Sequence, residues 1–386
     1  VVGFALVIAL SVPAAAKVDI TEVATGLDSP RGVAVGPDGT VYVAESGTGG
    51  AEPCVAHPEL EELCFGPSGS ITAVTDGVAS ELVGGLTSAI TPAGEVLGPT
   101  GVAVDASGVV WFLVGLPGHG AAEFRDAVPD GAAAGAGQLY MVDESGAAVS
   151  VADLAAYESS DNPDADQPGN ADPDSNAFGL AATDAGALVT DAGGNDLLMV
   201  DAEGAISTLA VFPVVMQEAP PAPPDPAASV DPNATAAPPM MVPMDPVPTS
   251  VAVGPDGAYY VGQLTGFPFP PGAASVFRVV PGEEPSVYAS GFTNVIDVEF
   301  GPDGTLYVLE ISNPGLLTAL GGGSPAGGLW KVPPGGGEPE LLDNEGLTLP
   351  GGMAMAEDGT LYISDCSICP GEGGPIGGGR LVSVKP

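Results

Sequence analysis

Positive charge is nearly missing from this sequence. Seven lysines and arginines stand against 49 aspartates and glutamates, a formal net charge of −42 over 386 residues. No cluster of Lys or Arg exists to neutralise phosphates, which excludes a nucleic-acid binder and a partner for anionic membrane surfaces. Histidine is scarce as well, with His57 and His119 the two copies. Neither lies in a triad context, and no G-x-S-x-G elbow is present, so little is left for nucleophilic catalysis. Glycine runs such as GGGSPAGG at 321–328 lack the strand-to-helix setting of a phosphate loop. Long helical windows are missing too, because 58 glycines and 41 prolines interrupt them. The 45% apolar fraction nevertheless far exceeds that of a disordered acidic chain, so a sizeable core is expected.

Beyond the N-terminus no apolar run reaches membrane-spanning length. Residues 1–12 read VVGFALVIALSV and are followed by Pro13, Ala14, Ala15 and Ala16. A short apolar run before an A-x-A pattern reads as a secretory signal peptide, 1–16, with the mature chain starting near Lys17. The expected location is therefore secreted or periplasmic, with no membrane insertion after cleavage. Four cysteines fit export: Cys54 and Cys64 flank VAHPELEEL, and Cys366 and Cys369 form a C-x-x-C. In an oxidising compartment an even count of this kind implies disulfides between neighbours in sequence. The alternatives are a four-thiolate zinc site or a redox C-x-x-C. The first spacing is wide for a zinc knuckle, and no thioredoxin-like pattern surrounds the second.

One phrase recurs six times: a short apolar strand, a turn ending in glycine, and a second strand. The copies are RGVAVGPDGTVYVAES at 31–46, TGVAVDASGVVWFLVG at 100–115, FGLAATDAGALVTDAG at 178–193, TSVAVGPDGAYYVGQL at 249–264, IDVEFGPDGTLYVLEI at 296–311 and GGMAMAEDGTLYISDC at 351–366. Asp-Gly and its like between alternating apolar runs is a strong hairpin signal, because glycine supplies the positive φ the turn needs. Two further strands follow most copies, as in SITAVTDGVASELVGGL at 70–86. Six units of four antiparallel strands predict an all-β, six-bladed β-propeller of the NHL and SMP-30 kind, spanning 17–386 as one domain. After the sixth copy only GRLVSVKP remains, one strand short. VDITEVATGL at 18–27 is predicted to complete the last blade and close the ring, hiding exposed edges.

Two stretches depart from the unit. Residues 213–248 hold twelve prolines and are expected to stay out of any sheet ladder as a surface loop. Residues 159–176 carry Asp161, Asp164, Asp166, Asp172 and Asp174, a run able to offer oxygen ligands to Ca²⁺, though without EF-hand spacing.

Candidate site residues come from the channel mouth, where all blades contribute. The second strands end at Glu45, Val114, Asp191, Gln263, Glu310 and Asp365. Four carboxylates and an amide in such a ring suggest a cation site or a polar grip on a ligand. The structural alternative is that each acid caps the N–H groups of its following turn. Asp191-Ala-Gly-Gly-Asn195 is similar to the D-x-x-N strand ending of NHL repeats, mainly a structural turn there. Arg31, Asn176, Asn294 and Asp297 lie at the starts of inner strands and are placed at the same mouth. Arg31, one of four arginines, either binds an anionic group or pairs with a neighbouring carboxylate.

Several stretches together resemble the ScyD/ScyE family, exported bacterial propeller proteins named for the scytonemin clusters of cyanobacteria. They include GLDSPRGVAVGPDGTVYVAESGTGG, CFGPSGSIT, VADLAAYESSDNPD, DSNAFGL, TDAGGNDLL and LTGFPFPPGAASVFRVVPG. The Pro-rich stretch and the C-terminal C-x-x-C depart from the family pattern. The resemblance implies an extracytoplasmic accessory role and carries no catalytic residues. The leading expectation is thus a non-catalytic propeller binding a small molecule, glycan or protein partner. The alternative is a divalent-metal-dependent, lactonase-type hydrolase. It would use Glu45, Asn176, Asn294 and Asp365 as ligands, with Ca²⁺ or another divalent ion as cofactor, and Asp191 or Glu310 as base.

Overall fold

A computed structural model describes residues 18–116, 118–219, 240–343, 345–369 and 378–386. Residues 1–16, read above as a signal peptide, lie outside the described residues, as does most of the Pro-rich segment.

Each recurring phrase folds as predicted because its turn closes on itself. In GPDGT, the Asp38 carboxylate accepts the Thr40 N–H at 3.0 Å, while Gly36 and Thr40 pair through the backbone. Gly39 sits at φ 82°, a conformation a side chain disfavours. Asp256, Asp303 and Asp358 repeat the contact two residues on.

Six antiparallel sheets result. Their innermost strands are Pro30–Val35, Pro99–Val104, Ala177–Thr183, Pro248–Val253, Val295–Phe300 and Gly352–Met355. The second strands are Val41–Glu45, Val110–Val114, Gly186–Asp191, Tyr259–Gln263, Leu306–Glu310 and Leu361–Asp365. In the sixth sheet Ile20–Leu27 pairs with Gly379–Val384, Ile20 opposite Val384 and Leu27 opposite Gly379. The chain is a six-bladed β-propeller closed by its N-terminal strand.

Apolar residues fill the spaces between neighbouring blades. One cluster holds Val110, Phe112 and Val114 against Ile71 and Val83; another holds Leu306, Val308 and Val332 against Val276 and Phe292. At the axis the inner strands approach too closely for ordinary side chains. A Cβ on Gly32 would stand 2.8 Å from the Thr100 carbonyl oxygen, and one on Gly101 2.8 Å from that of Phe178. Among the described residues, no helix is long and apolar enough to cross a membrane.

Two sequence expectations need amendment. Residues 213–248 do contribute to a ladder: Val215–Glu218 pairs antiparallel with Met241–Met244, Pro243 opposite Met216. A two-stranded ribbon has only edge strands, where a missing N–H is tolerated. Blade 1 also outgrows the unit. Glu61–Thr75 and Val78–Ile90 run past the blade, and Cys54–His57 adds a short strand beside them. The disulfides are Cys54–Cys64, pinning this extension, and Cys366–Cys369.

Candidate functional site

The strand-end acids share a role that differs from both expectations. Glu45 accepts the backbone N–H of Asp28 at 2.5 Å, Asp191 that of Asn176 at 2.5 Å, Glu310 that of Thr293 at 2.6 Å and Asp365 that of Thr348 at 2.6 Å. In each case the donor lies 15 or 17 residues earlier, in the segment leading into the same blade. The carboxylate thus ties a blade's second strand to the approach of its first. Remaining oxygens are engaged locally: Glu45 by the Thr72 hydroxyl, Asp191 by the Ser175 hydroxyl, Glu310 by Asn313, and Asp365 by Arg380; the Asp191 oxygen on Asn176 also accepts from Gly193 and Gly194. Asp191 also caps its own following turn in the way expected, at Gly193 and Gly194, and the N–H of Cys366 partly lowers Asp365. Burial pushes all four carboxyls upward, partly offset by these donors.

The amides are similarly occupied. Asn294 donates to the Leu264 carbonyl at 3.0 Å and accepts the Leu316 N–H at 2.9 Å. Asn195 donates to Asp164 at 2.8 Å and accepts the Val247 N–H at 3.3 Å, linking blade 3 to blade 4. Gln263 is buried at its strand end. Among the described residues, the groups of three His, Cys, Asp or Glu ligand atoms within 4.8 Å of one another include none of Glu45, Asp191, Glu310 and Asp365.

Arg31 and Asn176 do come together. They line a mouth cavity of about 530 Å³, open side included, with Ser46, Leu60, Glu95 and Phe178 among the other walls. Arg31 is 7% exposed and donates to the Ser46 hydroxyl at 3.3 Å and the Val96 carbonyl at 3.0 Å. Burial lowers the Arg31 pKa, and the Glu95 carboxylate in the same wall acts against that shift without closing to an ion pair. Arg125, Arg278 and Arg380 each hold a carboxylate at 2.6–2.7 Å, whereas Arg31 forms no ion pair among the described residues.

Below the mouth, the channel of about 440 Å³ is lined by equivalent residues of the six inner strands. In the aligned repeats Asp297 takes the place of Gly32, Gly101, Gly179, Ser250 and Gly352, and Glu299, which lines the channel, the place of Ala34, Ala103, Ala181, Ala252 and Ala354, which do not. Blade 5 alone therefore places acids in this wall. Asp297 accepts the N–H groups of Val298 at 2.8 Å and of Met353, in blade 6, at 2.7 Å. Desolvation in the narrow channel pushes Asp297 up to about 7, and Glu299, also repelled by Asp297, up to about 8. Sequence reasoning named Asp297 and missed Glu299, although aligning the repeats shows it against five alanines.

A second unforeseen group lies in the loops beside blades 1 and 3. His119 sits 3.9 Å from Glu59 and 3.8 Å from Asp174. The three ligand atoms lie within 4.8 Å of one another, and Asp174 is pushed up to about 7, mainly by burial and by Glu59.

No family model matches the chain, and no curated protein resembles it in sequence. Solved structures do. A Bacteroides thetaiotaomicron protein of unknown function is similar at 10% identity and TM-score 0.50, over 95% of this chain and 73% of that one. The PQQ-bound aldose sugar dehydrogenase of Streptomyces coelicolor follows at 14% and 0.48, over 96% and 98%. A gluconolactonase of Xanthomonas campestris shows 14% and 0.41, over 97% and 99%. The likeness is one of fold. One fold hosts many chemistries, so these neighbours assign no activity.

Proposed function

We propose that the chain is an exported, non-catalytic binding propeller of the ScyD/ScyE type, accessory to secondary-metabolite chemistry outside the cytoplasm. Its ligand is a small anionic molecule, or the acidic group of a glycan or protein partner, held at the channel mouth. The observation that carries this reading is Arg31, a buried guanidinium that lines the mouth cavity and forms no ion pair among the described residues. A buried cation of this kind is most favourably completed by an anion, and guanidinium matches carboxylate or phosphate geometry. Asn176 supplies a neutral polar partner in the same wall. Two disulfides fit an oxidising compartment.

The lactonase-type alternative gains less support. Glu45, Asn294 and Asp365, three of its four ligands, are spent on their own blades' approach segments or neighbouring loops.

Thermal-shift titration of the protein and of Arg31→Gln against citrate, a sugar phosphate, a phenolate and a sulfated disaccharide tests the reading. At least one anion is expected to raise the melting temperature of the parent and to leave the variant unmoved. Equal shifts in both proteins, or lactone hydrolysis abolished by Asp365→Asn, overturn it.

A further inference from the structure

Blade 3 contains buried carboxyls that no cation among the described residues pairs with. Asp196 is 0% exposed, and both its carboxylate oxygens lack a hydrogen-bond partner. Glu158 is 2% exposed, and its Oε2 is likewise unpartnered. Asp191 and Asp164, at 1% and 2% exposure, complete the group. A Cβ on Gly194 would stand 3.0 Å from Glu158 Oε2 and 3.4 Å from Asp191 Cγ, so one glycine separates those two carboxylates. With its nitrogen turned toward these acceptors, Asn162 reaches Glu158 Oε1 at 3.2 Å and Asp164 Oδ1 at 3.0 Å. Asp164 is further held by Asn170 and Asn195. Asp245, ahead of blade 4, adds an unpartnered Oδ1, and its charge acts on Asp164.

The carboxyls repel one another across the group. Asp196 is pushed well above its ordinary value by burial and by Asp191, Glu158 and Asp164; Glu158 is pushed up to about 8 by burial and by Asp191, Asp164, Asp174 and Asp161. No Lys or Arg appears among the charges acting on either residue. An unpaired buried carboxylate is costly and survives only if protonated or bound to a cation.

We infer that Asp196 and Glu158, with Asp164 and Asp191 beside them, form a structural Ca²⁺ site that joins blade 3 to the acidic loop before it. The donor set decides the ion. It offers oxygen alone, from the carboxylates, with no histidine or thiolate, which selects a hard cation. An irregular, oxygen-rich arrangement suits Ca²⁺, which accepts six to eight ligands in flexible geometry, better than octahedral Mg²⁺. The oxygens are not gathered into one shell, since the groups of three within 4.8 Å of one another lie elsewhere among the described residues. The ion would close the shell by drawing together the unpartnered Asp196 oxygens and Glu158 Oε2. The acidic loop is thereby sorted: Asp164 serves the site, while Asp161, Asp166 and Asp172 are exposed.

The test is Ca²⁺ equilibrium dialysis at pH 7.5 on the full chain, Asp196→Asn, Glu158→Gln and an Asp166→Asn/Asp172→Asn control, with melting curves in Ca²⁺ and in EDTA. The parent and the control are expected to bind one equivalent and to melt several degrees higher in Ca²⁺. Each site variant is expected to bind at least tenfold more weakly and to lose that increment. Because Asp196→Asn removes charge without changing shape, it is expected to fold and to melt in EDTA no lower than the parent. Three results overturn the site: no binding by the parent, equal affinity in Asp196→Asn, or binding that survives there and disappears in His119→Ala. The last would place the ion at Glu59, His119 and Asp174.

Discussion

The Glu310 carboxylate accepts the backbone N–H of Thr293 at 2.6 Å across 17 residues of chain. The same latch, with the same separation, joins Asp365 to Thr348 and Glu45 to Asp28. In each of these blades the inner strand would otherwise start with an unpaired donor at a tight corner. A charged acceptor there contributes more than a neutral one, about 1.5–3 kcal/mol.

Glu310→Ala is accordingly expected to lower unfolding stability by about 2–3 kcal/mol, because it leaves the Thr293 donor without its acceptor. Glu310→Gln should recover part of this loss, since an amide oxygen still accepts. Chemical denaturation of both variants measures the difference; a change near zero in Glu310→Ala would show the latch to be idle.

Stability should fall as pH rises from about 5 to 8. Glu158 and Glu299 are held near 8, and Asp174 and Asp297 near 7, in the folded chain. All lie above the ordinary carboxylate value of about 4. The folded state therefore binds more protons than the unfolded state between these limits, and the slope of stability against pH is negative. Their favourable contribution is complete below pH 4 and is lost as pH passes the folded values. Melting curves in EDTA from pH 5 to 8.5 give the slope; Glu299→Gln should make it shallower.

Removing the Cys54–Cys64 bridge is expected to loosen the blade 1 extension while leaving the ring intact. The bridge closes a loop of 10 residues in sequence separation, for which chain entropy predicts about 2–3 kcal/mol. In Cys54→Ala/Cys64→Ala, limited proteolysis should cut first between residues 51 and 66. Uniform protection there would contradict the local role.

Deleting residues 18–27 should open the ring. Ile20–Leu27 is the outer strand of the last blade, and its loss exposes the unpaired edge of Gly379–Val384. A lower and broader melting transition is expected, with self-association rising with concentration in light scattering. A synthetic 18–27 peptide added in trans should reverse part of both.

How much the residues announce by themselves follows from the range of the interactions involved. The GPDG turns, the strands flanking them and the sixfold count depend on neighbours within a few positions. They are legible from SVAVGPDGAYYVG or DVEFGPDGTLYVL alone, and closure by 18–27 follows from counting strands. The ring of acids was also visible as a pattern, but its direction was not. Whether Glu310 faces an ion or the Thr293 N–H depends on where the chain stands 17 residues earlier. Arg31 and Asn176 share a wall only because six blades close a circle, and Val96, 65 residues from Arg31, supplies the carbonyl that fixes the guanidinium. Asp196 opens the strand Asp196–Asp201, and nothing local sets it apart. Burial against Glu158, Asp164 and Asp191 gives it an unanswered charge, and burial is a property of the packed ring.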